Sequence, residues 1–228
     1  MATHTHTAAP ATGASRAQVE PLPERLLDWT SRHRQAVSWI VVALIVALGL
    51  FVWTMSSNRR SEVIAGRQLQ GARYAFDQQN LPLAASELSR IIENYSGTHA
   101  AAEARLLLAQ LRLVQGQPQQ AVELLRDFAP GASAAYQAQA YGLLGAAYEN
   151  MGRPREAADA YQAGAERARM DFLKAQMLSD AGRAWTVAGD TAKAVATYRR
   201  IVDEFPKQVA VTEAKVRLGE LTKGAGSP

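Results

Sequence analysis

The 228-residue sequence contains no cysteine. This excludes disulfides, thiol catalysis, thiolate metal sites, iron–sulfur clusters and a lipoprotein anchor, which needs a cysteine to carry its acyl chains. Histidine is scarce, with four in the chain: His4, His6, His33 and His99. His4 and His6 lie in a polar run read as a solvated tail, and His99 falls at a predicted helix start, a capping position. The chain also lacks a phosphate-cradling glycine loop and a G-x-S-x-G elbow. Glu123 and Asp127 stand four apart on one predicted helix, but Arg126 lies beside them, and they read as a solvated face. No catalytic, cofactor-binding or metal-ligating residue is assigned, no cofactor is expected, and the chain is not read as an enzyme.

A dominant charge sign is missing as well. Lys and Arg total 25 against 21 Asp and Glu, a net charge of +4. Residues 1–56 hold four Arg against three acids, and the remainder holds 21 bases against 18 acids. So even a spread excludes a nucleic-acid-binding surface.

One long hydrophobic run is present. Residues 36–56, AVSWIVVALIVALGLFVWTMS, carry no charge. As a helix they measure about 32 Å, against a hydrocarbon core of about 30 Å. Trp39 and Trp53 lie near its ends, and Arg32, Arg34, Arg59 and Arg60 bound it. The run is too long for a signal peptide and lacks a small-x-small cleavage site, so it reads as a single uncleaved signal anchor. Flanking arginines tie, with Arg16, Arg25, Arg32 and Arg34 before it and Arg59, Arg60, Arg67 and Arg73 after it. Orientation therefore rests on the short polar N-terminus, which favours a cytoplasmic start and an exported C-terminal domain. Residues 1–20 read as a disordered tail and 21–35 as a short interfacial helix presenting Leu22, Leu26 and Trp29.

Residues 57–222 form the folded domain, followed by a flexible tail at 223–228. Strand signals are few, and Ala, Leu, Gln, Glu and Arg favour helix. Internal periodicity is strong. Small residues recur at Ala72, Ala109, Gly145 and Gly182, spaced 37, 36 and 37 apart. Ala84, Ala121, Ala157 and Ala194 repeat that spacing, as do Leu88, Leu125, Tyr161 and Tyr198. Pro82, Pro118 and Pro154 suit first helical turns, and Gly116, Gly152 and Gly189 end the helices before them. The pattern predicts four antiparallel helix pairs at about 61–95, 99–129, 134–168 and 172–205. A last helix at 207–222, with Val211, Ala214, Leu218 and Leu221 on one face, covers the end of the stack.

These motifs resemble the tetratricopeptide repeat family. The third unit carries the pattern at Tyr141, Leu144, Gly145, Tyr148, Gly152, Ala157 and Tyr161, and the fourth at Gly182, Trp185, Gly189, Ala194, Tyr198 and Pro206. The second matches at Leu108, Ala109, Gly116, Ala121 and Leu125. The first departs, with Asn80 near the expected glycine; Gly164 replaces the usual alanine, and the period exceeds the family's 34. The expected fold is an all-α helical-hairpin solenoid behind a single transmembrane helix.

The resemblance implies a concave protein-binding groove lined by the first helix of each pair. Its groove positions fall on Leu69, Arg73 and Phe76, then Leu106, Gln110 and Leu113, then Gln139, Glu149 and Asn150, and finally Gln176 and Arg183. The Lys and Asn residues of the chaperone-tail carboxylate clamp are not at these places. In its order of tail, span and repeats, the chain from about residue 26 to 222 resembles the YfgM-type ancillary Sec translocon subunits of bacteria. That resemblance implies a periplasmic repeat domain tethered to the inner membrane, with the Sec translocon, periplasmic chaperones or emerging polypeptides as partners. Alternative readings are an envelope-assembly factor, a cytosol-facing adaptor using the same groove, and a structural membrane oligomer formed through Ala43 and Ala47.

Overall fold

The turn inside each helix pair uses one residue of left-handed backbone, followed at once by the cap of the next helix. In the computed structural model, which describes residues 34–222, Gly116, Gly152 and Gly189 take φ of 69°, 67° and 74°. The amides of Gln117, Arg153 and Asp190 then donate to the carbonyls of Arg112, Tyr148 and Trp185, satisfying the final turn. In the first pair the left-handed position is Gln79, at φ 58°, and Asn80 donates to the Ala75 carbonyl. The missing glycine is thus one residue earlier than expected. Asn80 has a different role, its Oδ1 accepting the Leu83 amide at 3.3 Å as a helix cap.

Among the described residues the regular elements are ten helices. They are α1 (Arg34–Asp77), α2 (Leu81–Asn94), α3 (His99–Val114), α4 (Pro118–Leu125), α5 (Phe128–Gly131), α6 (Gln137–Asn150), α7 (Pro154–Arg167), α8 (Asp171–Val187), α9 (Thr191–Glu204) and α10 (Ala210–Thr222). The expected tails at 1–20 and 223–228, and most of the interfacial helix at 21–35, lie outside the described residues. So do the side chains at 34, 36, 37, 40, 41 and 52–57.

The chain divides into two units, Met1–Met55 and Ser56–Pro228. In the first, Val42, Leu44, Ile45, Val46, Leu48, Leu50 and Phe51 of α1 are all exposed. Among the described residues no helix is long and apolar enough to cross a membrane. The fold by itself therefore does not show the span expected over 36–56.

The second unit is the solenoid. The end of α1 pairs with α2, α3 with α4, α6 with α7, and α8 with α9. Pro118 and Pro154 open α4 and α7, and Pro82 lies in the first turn of α2, where an absent N–H leaves nothing unpaired. The second pair differs from expectation because its second helix stops at Leu125 and resumes as the single turn α5. Pro130 accounts for the break: it has no N–H to give the Arg126 carbonyl, and its ring crowds that turn.

Packing follows the repeat. Ala84, Ala121, Ala157 and Ala194 are completely buried. Ala72 shares a core cluster with Leu88, and Ala109 shares one with Leu125. In the last two pairs the small residue shrinks to glycine and its large partner grows to tyrosine. A β-carbon added at Gly145 would lie 2.7 Å from the Tyr161 ring, and one at Gly182 would lie 2.7 Å from the Tyr198 ring. Gly164 has a related cause, since a β-carbon there would meet Met177 Sδ at 2.9 Å and the Ala138 carbonyl at 3.3 Å. At the C-terminal end, α10 buries Ala214 and Leu218, with Val211 and Leu221 packed beside them.

Two stability outcomes follow from this packing. Gly145→Ala should cost about 1–3 kcal/mol by overpacking. Tyr161→Leu in the same chain, recreating the Ala–Leu combination of the first two pairs, should recover part of that loss. Urea denaturation of the double-mutant cycle checks this, and strictly additive losses would refute the volume pairing. Gln79→Gly should stabilise the domain by about 1 kcal/mol, by relieving a left-handed residue that carries a side chain.

Candidate functional site

Side chains from the first helices of successive pairs meet on one face. At its N-terminal end, Glu62 of α1 reaches the start of α3, its two carboxylate oxygens accepting the amides of His99 at 2.8 Å and Ala100 at 3.0 Å. Thr98 Oγ1 completes that cap by accepting the Ala101 amide at 3.1 Å. Three turns along α1, Arg73 pairs with Glu103 of α3 at 2.6 Å. Tyr136, just before α6, feels both carboxylates. Its phenol is raised above the ordinary value first by burial and then by Glu103 and Glu62, with Arg73 opposing. Glu62 and Arg73 tie the first helices of pairs one and two together.

The third and fourth pairs are joined by a denser network. The Tyr161 hydroxyl donates to Glu149 Oε2 at 2.7 Å. Glu149 also pairs with the Arg183 guanidinium of α8, which donates in turn to Asp180 Oδ1 at 3.0 Å. Burial, followed by the Glu149 carboxylate, holds the Tyr161 phenol well above its ordinary value of 10.0. Arg183 is raised despite the opposing effect of burial, because Glu149 and Asp180 both accept its hydrogen bonds.

The residues expected along the groove separate into three groups. Leu69 and Leu106, at 3% and 2% exposed, are corrections: they belong to the core beneath the face and offer nothing to a ligand. Arg73, Phe76, Leu113 and Glu149 are half-buried, and the two charged members are already engaged in ion pairs. Gln110, Gln139, Asn150, Gln176 and Arg183 are exposed. Only Glu149 and Arg183 of the set are joined by a hydrogen bond. Gln176 lines a cavity of about 340 Å³ with Phe172, Leu173 and Val209, while Arg183 lines another of about 220 Å³ against α10.

Glu62, Glu103, Tyr136 and Asp180 were not anticipated. A weak signal existed for Glu62, which stands one repeat length before His99. Glu123 and Asp127 do not form a carboxylate pair: the first accepts from Gln119 at 3.1 Å, and the second pairs with Arg126 at 3.3 Å.

Burial of the Tyr161 phenol, together with its bond to Glu149, generates a pH dependence. The unfolded Tyr161 ionises near pH 10, whereas the folded one stays protonated beyond it, so the unfolded state releases the proton first. The stability this supplies is complete below pH 10 and falls as pH rises further. Urea denaturation between about pH 9 and pH 11 should show a decline that is shallower in Tyr161→Phe. Glu149→Ala should cost about 1–3 kcal/mol at neutral pH, because it leaves a buried hydroxyl without its acceptor.

A comparison with curated proteins finds no match. Among solved structures, two crystal structures of nearly identical TPR-like repeats, from a Podosopora anserina protein named as a kinesin light chain, resemble this chain with TM-scores of 0.55 and 0.54. Identities are 17% and 18%, covering 69% of this chain and 84% and 85% of theirs. At such identities the likeness concerns the fold alone. Residues 175–207 match a tetratricopeptide repeat model. Residues 55–180, more than half of the chain, match the model of the tetratricopeptide repeat-like domain, and the chain belongs to that family.

Proposed function

We propose that the chain is a membrane-tethered protein-interaction scaffold of the bacterial envelope, holding its repeat domain on the periplasmic side near the protein-export channel. Tetratricopeptide repeats generally serve as protein-binding scaffolds, and partners here would be the export machinery, periplasmic chaperones or emerging polypeptides. Tethering raises the local concentration of the domain near membrane partners, so modest contacts along the groove suffice.

The observation that carries the tether is the exposure of α1 in the first unit. Val42, Leu44, Ile45, Val46, Leu48, Leu50 and Phe51 are 50–64% exposed. Successive residues turn by about 100°, so these side chains point in all directions around the helix. An apolar surface on every side suits lipid, and the uncharged run from 36 to 56 has the length of a bilayer core. The groove reading draws its support from the exposed Gln110, Gln139, Asn150, Gln176 and Arg183 on the first helices of pairs two to four, with apolar Phe172 and Val209 exposed beside Gln176.

The cysteine-free chain makes both parts testable. Ser15→Cys and Ser227→Cys are labelled separately in outer-membrane-permeabilised cells with an impermeant maleimide. Labelling at position 227 alone is expected; labelling at position 15 alone would place the domain in the cytoplasm and overturn the export reading. For the groove, Gln110→Cys and Gln139→Cys with a cleavable cross-linker should capture a partner protein. Asp159→Cys and Arg199→Cys, exposed on second helices, should not. Equal capture at all four sites would refute the groove.

A further inference from the structure

We infer that the junction between the second and third helix pairs is a hinge. About it the first two pairs and the last two pairs turn as two bodies, changing the separation of Gln110 and Gln139. This goes beyond the proposed function and holds whichever partner the exposed face takes. Successive junctions, compared position by position, show why.

The other junctions carry side-chain bonds from one helix layer to the next. Between pairs one and two, Glu62 accepts the His99 and Ala100 amides, and Arg73 pairs with Glu103. Between pairs three and four, Glu149 pairs with Arg183, and Gln162 Nε2 donates to Thr197 Oγ1 at 3.3 Å. Between pair four and α10, the Ser179 hydroxyl donates to Glu213 Oε2 at 3.0 Å. At the middle junction the matching positions hold other residues. Arg73 and Glu103 are succeeded, 37 and 36 residues on, by Gln110 and Gln139, which are exposed. Among the described residues no hydrogen bond joins these two. Glu149 and Arg183 are preceded, by 36 and 37 residues, by Leu113 and Ala146, which cannot form an ion pair. The side-chain bond present here, from Gln137 Nε2 to the Pro130 carbonyl at 3.0 Å, lies within the connector and turns with it. The His99 and Tyr136 rings stand 6.2 Å apart. Each exposed tie is weak alone, but hydrogen bonds are directional, and several together fix how two pairs are set against each other.

Packing and connection point the same way. The side chains buried between pairs two and three are all aliphatic, among them Leu106, Val122, Leu125, Ala140 and Leu144. Apolar burial is non-directional, so such faces allow the small sliding of packed helices that shear and hinge motions need. At the next junction the surfaces interlock. Met177 of α8 sits against Gly142 and Gly164 of pair three, where added β-carbons would lie 3.1 Å from its Cε and 2.9 Å from its Sδ. The connector at the middle junction is also the least braced. α4 has 8 residues where α2, α7 and α9 each have 14. Beyond the break at Pro130, the chain from Gly131 to Ala135 is exposed apart from Ala132. The backbone and the side chains thus offer least resistance to turning at the same place.

The test uses the full chain in detergent micelles and exploits its lack of cysteine. Ser86, Glu123, Asp159 and Ala196 are exposed at one repeat position of the second helices, spaced 37, 36 and 37 apart. Three double variants report the three junctions in turn: Ser86→Cys with Glu123→Cys, Glu123→Cys with Asp159→Cys, and Asp159→Cys with Ala196→Cys. Nitroxides are attached and their distances measured by dipolar EPR. The distribution across the middle junction should be about twice as broad as either of the others. Gln110→Arg with Gln139→Glu, which copies the Arg73–Glu103 tie, should narrow it. Pro130→Ala, which restores the missing N–H, should also narrow it, with the helical circular dichroism intact in both variants. Equal breadth at the three junctions overturns the hinge. So does a broad middle distribution that neither variant narrows, because the breadth would then belong to the labels.

Discussion

Two helices can approach only as closely as the residues at their crossing allow, and most of this domain depends on how that crossing is filled. Where the large residue is leucine, alanine suffices opposite it; where it is tyrosine, nothing larger than hydrogen fits. The exchange from Ala72–Leu88 and Ala109–Leu125 to Gly145–Tyr161 and Gly182–Tyr198 keeps each crossing filled while changing its chemistry. Leucine brings only volume. Tyrosine brings a hydroxyl through the crossing to the far side, where Glu149 receives it. Glu149 then engages Arg183 of the following pair, so a choice made for packing in one repeat becomes an electrostatic link to the next.

The parts of the fold that could be read in the sequence are those set by local, periodic volume. Ala84, Ala121, Ala157 and Ala194 are buried because each must fit against a partner helix, and the spacing alone makes that visible. The turn glycines were legible for a similar reason, since left-handed backbone strongly selects glycine. Gln79 was not, because nothing about glutamine announces a positive φ; only alignment with Gly116 places it there. Pro130 carried a usable warning that α4 would break, but its effect depends on where the helix would otherwise have run.

The exposed face of the first helices was harder to read. A helix turns about 100° per residue, so an error of one position exchanges surface for core. Leu69 and Leu106 fell on the buried side of that line, while Gln110, Gln139 and Gln176 did not. The contacts that join repeats were least visible of all, since Glu103, Tyr136 and Asp180 acquire meaning only when helices distant in sequence are laid side by side. Charge balance conceals them further: the near-neutral composition hides acids and arginines that pair across the face.

Glu62 shows what such contacts mean for modularity. Repeat arrays are commonly treated as strings of interchangeable units, each stable in itself and coupled to its neighbour through apolar faces. Here the second unit does not own the whole cap of its first helix; two of the three capped amides are received by Glu62 of α1, one repeat length upstream. Removing the first unit would bare the amides of His99 and Ala100 along with the apolar face beneath them. The array therefore has a direction: units can be lost from its C-terminal end by uncovering a surface, whereas loss from the N-terminal end also opens a helix terminus. The first pair, despite its irregular turn, is the one the others cannot spare.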